Sequence, residues 1–290
     1  MRIDLHVHTH ASDGQHAPSE VVRMARARDI RVLAITDHDT TDGIAEAIAA
    51  AAVTAPLTKP LRIIPGIEIS AAETTFDAEK GRERTLDVHM LGYFIDRDSA
   101  ALQEKLAAMR EARVSRGRRI VEKLAALGVT ISWERVAQFA EGASVGRPHI
   151  ARAMVEAGHV ETVREAFDRF LHNGAPAYVP RLRVTPEDAI ALIHEAGGVA
   201  VMAHPALVEG YLALLERLAG AGLDGVEVFH PSNDENARLN LKAAAARYHL
   251  LMTGGSDFHG EAIKPGVFIG MQAPPFAVVS ALETRAAHYR

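Results

Sequence analysis

The sequence predicts an α/β protein in which parallel strands are joined by helices and one helical segment is inserted. Three observations carry that prediction. Short apolar runs alternate with longer stretches of helical periodicity, which is the pattern of strands connected by crossover helices. Several of the helical stretches open on Pro, Thr or Asn and close on Gly, as helix start and stop chemistry requires. Residues 99–177 break the alternation and read as almost wholly helical. A chain of 290 residues with 48% apolar content is long enough to bury a continuous core. The expected layout is a barrel in two parts, residues 1–98 and 178–290, with a helical cap over 99–177 between them.

Taken in order, the apolar runs RIDLHV, RVLAIT, LRIIPGIEIS, DVHMLGYFI, GVAVMA, GVEVF, LLMTGG and VFIG are the expected strands. The connecting helices are PSEVVRMARARD, GIAEAIAAAA, TPEDAIALIHEAG, LVEGYLALLERLAGAG and ENARLNLKAAAARY. No repeat of solenoid length is visible. The first helix of the insertion, residues 99–127, sets Lys105, Arg110, Arg113, Arg116, Arg118, Arg119 and Lys123 against only Glu104, Glu111 and Glu122. Such a run is either a solvated helix face or a surface that meets anions.

Composition removes several function classes. With no cysteine there is no disulfide framework, no thiolate metal site and no cysteine nucleophile, so any metal must be held by nitrogen and oxygen. The stretch AEAIAAAAVTAPLT is too short and too weakly apolar to span a bilayer, and no basic-then-apolar leader precedes the first strand. A cytoplasmic protein is expected, without membrane contact and without an obligate protein partner. A net charge of −5 argues against a basic nucleic-acid binder. The compositional oddity is 15 histidines.

Those histidines are placed with a pattern. In the opening MRIDLHVHTHASDG, an extended backbone sends Ile3, Leu5 and Val7 to one face and Asp4, His6 and His8 to the other. Asp13 follows closely. His38 comes after RVLAIT, Glu68 lies in PGIEIS, His89 in DVHMLGYF, His204 in VMAHP, and Asp257 and His259 in GGSDFHG. A parallel barrel collects its strand ends on one rim, so these residues are expected to converge. Nine donors exceed what one ion uses and imply two or three divalent metals. Three carboxylates leave such a cluster with surplus positive charge, suited to a phosphate dianion. Closely spaced ions also turn a bound water into hydroxide near neutral pH, which is phosphoester hydrolysis without a protein nucleophile.

The motifs DLHVHTHASDG, TDHD, PGIEIS, VHMLGYF, MAHP and GSDFHG resemble those of the PHP (polymerase and histidinol phosphatase) superfamily. Within the insertion, SVGRPHIARAMVEAGHV and AFDRFLHNGAPAYVP resemble its nucleoside 3′,5′-bisphosphate phosphatases and the related 5′→3′ exoribonuclease, ribonuclease AM. The resemblance implies a distorted (β/α)7 barrel and a two- or three-metal site, usually manganese, with zinc, iron or magnesium as alternatives. It implies that His6, His8 and Asp257 serve a first ion, Asp13, His38 and His259 a second, and His89 and His204 a third, with Glu68 bridging. Asp257, His204 and Glu68 are then the catalytic candidates. The implied substrate is a small phosphorylated nucleotide, or short 5′-phosphorylated RNA.

Arg147 and His149 follow Gly146 at an expected helix start, which is either a phosphate grip, the reading the family resemblance favours, or a capping segment with a surface arginine. His230, Ser232 and Asn233 in FHPSND follow the strand GVEVF and are candidate substrate contacts. Trp133, Tyr178 and Phe229 are candidates for stacking on a base or for ordinary core packing. Other readings stand beside these. TDHDTT fits the D-x-D-x-T signature of haloacid-dehalogenase phosphatases, with Asp37 as nucleophile. A histidinol phosphatase and a non-catalytic scaffold complete the alternatives.

Overall fold

The computed structural model describes residues 1–53, 60–77, 82–140, 145–180 and 184–290. The chain divides into two compact units, Met1–Glu104 with Arg183–Arg290, and Lys105–Leu182. In chain order the first unit begins β1 (Arg2–Asp4), α1 (Pro18–Ala27), β2 (Ile30–Ile35), α2 (Asp42–Ala52), β3 (Arg62–Asp77) and β4 (Arg82–Tyr93). Then come α3 (Ala100–Ala126), α4 (Trp133–Phe139), α5 (Arg147–Glu156) and α6 (Val163–Ala166), the last running into a π-turn at Phe167–Leu171. The first unit resumes with α7 (Pro186–Glu195), β5 (Val199–Met202), α8 (Tyr211–Gly220), β6 (Gly225–Phe229), α9 (Glu235–Tyr248), β7 (Leu251–Gly254) and α10 (Val278–Ala286).

The seven strands form one sheet in sequence order. Its two ends meet: Leu5 N–H donates to the Gly254 carbonyl, Asp257 N–H to His6 and His8 N–H to Phe258, and Val7 bridges Phe258 in parallel. These bonds close the sheet into a seven-stranded barrel. The sheet is not all parallel, as the alternation predicted; β4 pairs antiparallel with both β3 and β5. The reason is the connection. Only residues 78–81 separate β3 from β4, far too few for the dozen or more that a parallel crossover needs. With β4 reversed, both of its neighbours become antiparallel. The expected strand VFIG is not formed; Gly266 precedes it and Gly270 ends it at φ of 80° and 83°, and the Gly270 N–H is directed to the buried Asp4 carboxylate.

Local chemistry fixes the helices as the sequence suggested. At α7, Thr185 and Asp188 cap each other reciprocally before Pro186, and at α9 the Asp234 side chain accepts the Ala237 N–H. The alternation read from the first strand holds: Ile3 and Leu5 lie in an apolar cluster with Val32, Ile64, Leu91, Val201 and Leu282, while Asp4, His6 and His8 are buried on the other side. Among the described residues no helix is long and apolar enough to cross a membrane.

The second unit has its own core, in which Ile120, Leu124, Val136, Ile150, Met154 and Leu171 are buried. Trp133 packs against it, and a Cβ on Gly117 would lie 2.8 Å from the indole ring. Of the basic residues on α3, Arg116 is buried and its Nε donates to the Val179 carbonyl at 2.6 Å. Lys123 Nζ donates to the Tyr178 carbonyl.

Candidate metal centre

The site is built from strand ends. His6 and His8 continue β1, His38 lies just past β2, His204 just past β5, His230 just past β6, and Asp257 and His259 just past β7. Glu68 and His89 differ, being inside β3 and β4. His89 reaches the same rim from within its strand because β4 runs in the opposite direction. His204 and Asp257 hold φ of 26° and 53°, and such strained backbone, costing about 1–3 kcal/mol per residue, persists where the surroundings fix it.

Glu68 is the centre of the cluster. Its Oε2 lies 3.2 Å from His6 Nε2, 3.0 Å from His8 Nε2 and 3.3 Å from His38 Nδ1. Its Oε1 lies 2.9 Å from His89 Nδ1 and 3.0 Å from His204 Nε2. Asp13 stands 3.3 Å from His259 Nε2 and 3.5 Å from His8 Nδ1. Asp257 Oδ1 lies 3.3–3.6 Å from nitrogens of His6, His8 and His259. All nine residues singled out in the sequence are therefore neighbours. Donor atoms within 4.8 Å of one another group as His8–Asp13–His38–His259, His6–His8–Glu68, His6–His230–Asp257 and His38–Glu68–His89.

The donor set fits cations. His6 Nδ1 is 3.0 Å from Glu227 Oε1, a pairing that places the ring proton on Nδ1 and leaves the Nε2 lone pair facing the cluster. That Nε2 is 3.1 Å from His8 Nε2, so two imidazole nitrogens and two carboxylates converge with too few protons between them. Among the described residues the buried Nδ1 atoms of His8, His38 and His204 make no well-directed hydrogen bond, although those of His8 and His38 lie 3.5 and 3.3 Å from carboxylate oxygens of Asp13 and Glu68. Divalent ions satisfy such a set.

The electrostatics point the same way. Burial, reinforced by His259 and His38, lowers the His8 pKa to about 3, so its imidazole is neutral and able to ligate at neutral pH. Burial opposes the Glu68 charge, but His38, His6 and His89 outweigh it and hold the carboxyl well below its usual range. Asp257 is likewise held low, with His6 the leading cation against its burial. Burial also opposes a charged His6, yet Glu227, Glu68 and Asp257 raise its pKa well above the ordinary value, so the carboxylates around this ring favour positive charge at the centre of the cluster.

Of the other predicted residues, His230 joins the cluster. His230 Nε2 is 3.2 Å from Asp257 Oδ2, while its Nδ1 accepts the Ser232 N–H. In the neutral ring the proton therefore sits on Nε2, making His230 a donor to Asp257. The Ser232 side chain is exposed; Asn233 is buried, its amide nitrogen donating to the carbonyls of Glu227 and Val228. In the helical unit Arg147 Nη1 donates to the Leu171 carbonyl and to Asn173, its guanidinium 5.6 Å from the Phe167 ring centre, and His149 Nδ1 accepts the Gly146 N–H. Tyr178 lies near Arg116 and Arg147, and Phe229 near Lys242.

Asp37 is not placed as a nucleophile. It is 1% exposed, with both oxygens accepting from Thr9 and Ser12, and burial pushes its pKa up to about 6. It anchors the loop that carries Asp13.

Sequence reasoning missed three residues. Glu227 accepts from His6 Nδ1 and from the His204 backbone N–H at 2.8 Å; its signal was a lone acid inside the buried run GVEVF. Asp4 accepts from the backbone of His6, Ser256 and Gly270, tying the segments that carry His6 and Asp257 together. Lys264 sits with Nζ 2.5 Å from Asp257 Oδ2, and nothing in its sequence context marked it.

An α/β barrel whose strand ends converge on one carboxylate ringed by imidazoles offers the donor set of a metal-dependent hydrolase. Comparison with known proteins makes this specific. The chain belongs to the PHP domain family, which matches residues 4–174. It is 37% identical over 260 residues to the 5′-3′ exoribonuclease Rnm of Salmonella typhimurium, covering 88% of this chain and 84% of that one. It is 36% identical over 262 residues to a 3′,5′-nucleoside bisphosphate phosphatase of Chromobacterium violaceum, covering 89% and 87%. Among solved structures it resembles an amidohydrolase from Chromobacterium violaceum with bound sulfate, at TM-score 0.78 and 34% identity over 98% of this chain and 97% of that one.

Proposed function

We propose that this protein is a metal-dependent phosphoesterase that removes the 3′-phosphate of nucleoside 3′,5′-bisphosphates, yielding the 5′-monophosphate and phosphate. The observation that carries the reading is Glu68, whose two oxygens are shared between His6, His8 and His38 on one side and His89 and His204 on the other. A carboxylate in that position suits a bridge between ions. Two to three ions, manganese foremost, would be held by the nine residues, and when bound they supply Lewis acidity and lower the pKa of water.

The chain's own contributions follow from its contacts. Glu227 holds His6 in the ligating tautomer, and His230 with its Nε2–H orients Asp257. Glu68, Asp257 and His204 are the residues on which turnover depends most directly. Arg147 and His149 are the proposed grip on the second phosphate, which the metal-binding residues do not themselves provide for, and a remote anion contact orients the reacting group. The setting proposed for this reaction is the cytoplasm.

The name of the Salmonella relative favours a second activity, stepwise 5′→3′ trimming of short 5′-phosphorylated RNA, which presents a diester at the same 3′ position. The test is product analysis on manganese-loaded protein. Adenosine 3′,5′-bisphosphate should give 5′-AMP, with kcat/KM about tenfold above that for 3′-AMP, the value of one charge-assisted contact. Release of 3′-AMP, or equal rates on both compounds, overturns the assignment.

A further inference from the structure

Lys264 is a cation beside Asp257 that has no part in the proposed reaction. It lies on the turn after GSDFHG, and its Nζ is 2.5 Å from Asp257 Oδ2. Its backbone is firmly placed: the N–H groups of Ile263 and Lys264 both donate to the Gly260 carbonyl, and the Ala262 N–H donates to Gln15 Oε1. Gly260 itself has φ of 103°, and a Cβ there would meet the Gln15 side chain at 2.4 Å. The turn is thus locked onto the loop that carries Asp13, and only glycine permits the close approach. The ammonium is delivered to the rim of the metal centre by construction.

Its contact with Asp257 is surplus to orienting that carboxylate. Oδ2 already receives the Nε2–H of the buried His230, and Oδ1 faces His6, His8 and His259. An ordinary rim ion pair contributes little, and Lys264 is 38% exposed. The single charge of Asp257 offsets only part of the repulsion that two or three divalent cations would exert on this lysine, so a further anion at the rim favours its position. The side chain keeps further N–H donors on a flexible stem, and its exposure lets a solute reach them.

We propose that Lys264 is a phosphate-contact residue, donating to a non-bridging oxygen of the phosphoryl group held at the metal centre. This rests on the phosphoesterase reading but not on which nucleotide is hydrolysed. The experiment is calorimetric titration of inorganic phosphate into the manganese-loaded full chain, for wild type, Lys264→Met and Lys264→Arg, with metal content measured by elemental analysis. The expected result is a Kd for phosphate weakened about tenfold in Lys264→Met at unchanged metal content, and largely recovered in Lys264→Arg. If wild type and Lys264→Met bind phosphate equally, the Lys264 assignment falls and the phosphoesterase reading stands. If Lys264→Met loses metal and phosphate binding together, Lys264 acts on Asp257 and the phosphate contact is likewise overturned. A wild type that binds metal but no phosphate overturns both.

Discussion

Replacing Glu227 with Gln removes one negative charge while keeping the side chain's size. In the native structure both carboxylate oxygens accept: Oε1 from His6 Nδ1–H at 3.0 Å and Oε2 from the His204 backbone N–H at 2.8 Å. An amide offers one oxygen and one NH2. If the oxygen serves His204, the NH2 faces His6 Nδ1 and drives that proton to Nε2, where it points into the cluster and blocks a ligand position. If it serves His6, the buried His204 N–H is left unpaired, at about 1–3 kcal/mol. Loss of a partner to a ligating histidine weakens metal binding by about 10–100-fold, or roughly 1.4–2.7 kcal/mol, so the two routes agree in size. The assay is calorimetric titration of manganese into chelator-treated protein, with thermal melts in chelator run in parallel. The expectation is a tenfold or greater loss in affinity for at least one ion. Manganese affinity within twofold of wild type, with a lowered melting temperature, would refute the tautomer argument and make Glu227 a residue of the fold alone.

Asp257→Asn and His204→Asn should each lower turnover by about a hundredfold or more without loss of secondary structure, since Asn tolerates the positive φ that both positions adopt; unaltered turnover removes either residue from the site. Arg147→Met should raise KM for the bisphosphate about tenfold and leave KM for 3′-AMP unchanged, whereas equal effects on both substrates would end its role as the second phosphate's grip. Asp224 is buried and accepts from His194, the Ala200 N–H, Arg285 and Tyr289, the last two on or just after α10. Burial opposes its charge, but His194, Arg285, the Ala200 amide and Tyr289 outweigh it and lower its pKa. A carboxyl depressed by folding stabilises the fold above its unfolded pKa of about 3.9 and loses that contribution as pH falls toward the folded value. Asp224→Asn should therefore cost roughly 2 kcal/mol near neutral pH and less below pH 4, as read from urea midpoints across that range; a pH-independent difference contradicts the ionic account.

The sequence by itself determined the parts governed by local rules. Period-two alternation put His6 and His8 on one face and Ile3 and Leu5 on the other, because a strand's side chains have no third direction. The capped start of α7 was legible in TPED, and the convergence of nine donors followed once strand ends were taken to share a rim. Tertiary structure alone decided what depends on distant partners. The reversal of β4 came from a connection too short to cross over, and it carries His89 to the rim from inside a strand. The failure of VFIG as a strand came from Gly270 turning its N–H toward Asp4, 266 positions away in sequence. Glu227 and Lys264 became site residues through distances of 3.0 and 2.5 Å that no spacing rule encodes. The tautomers of His6 and His230 are set by hydrogen bonds at their second nitrogens. Residue type and periodicity fix which groups a segment can offer and on which face; which proton, charge or backbone amide each of them meets is fixed only when the barrel closes.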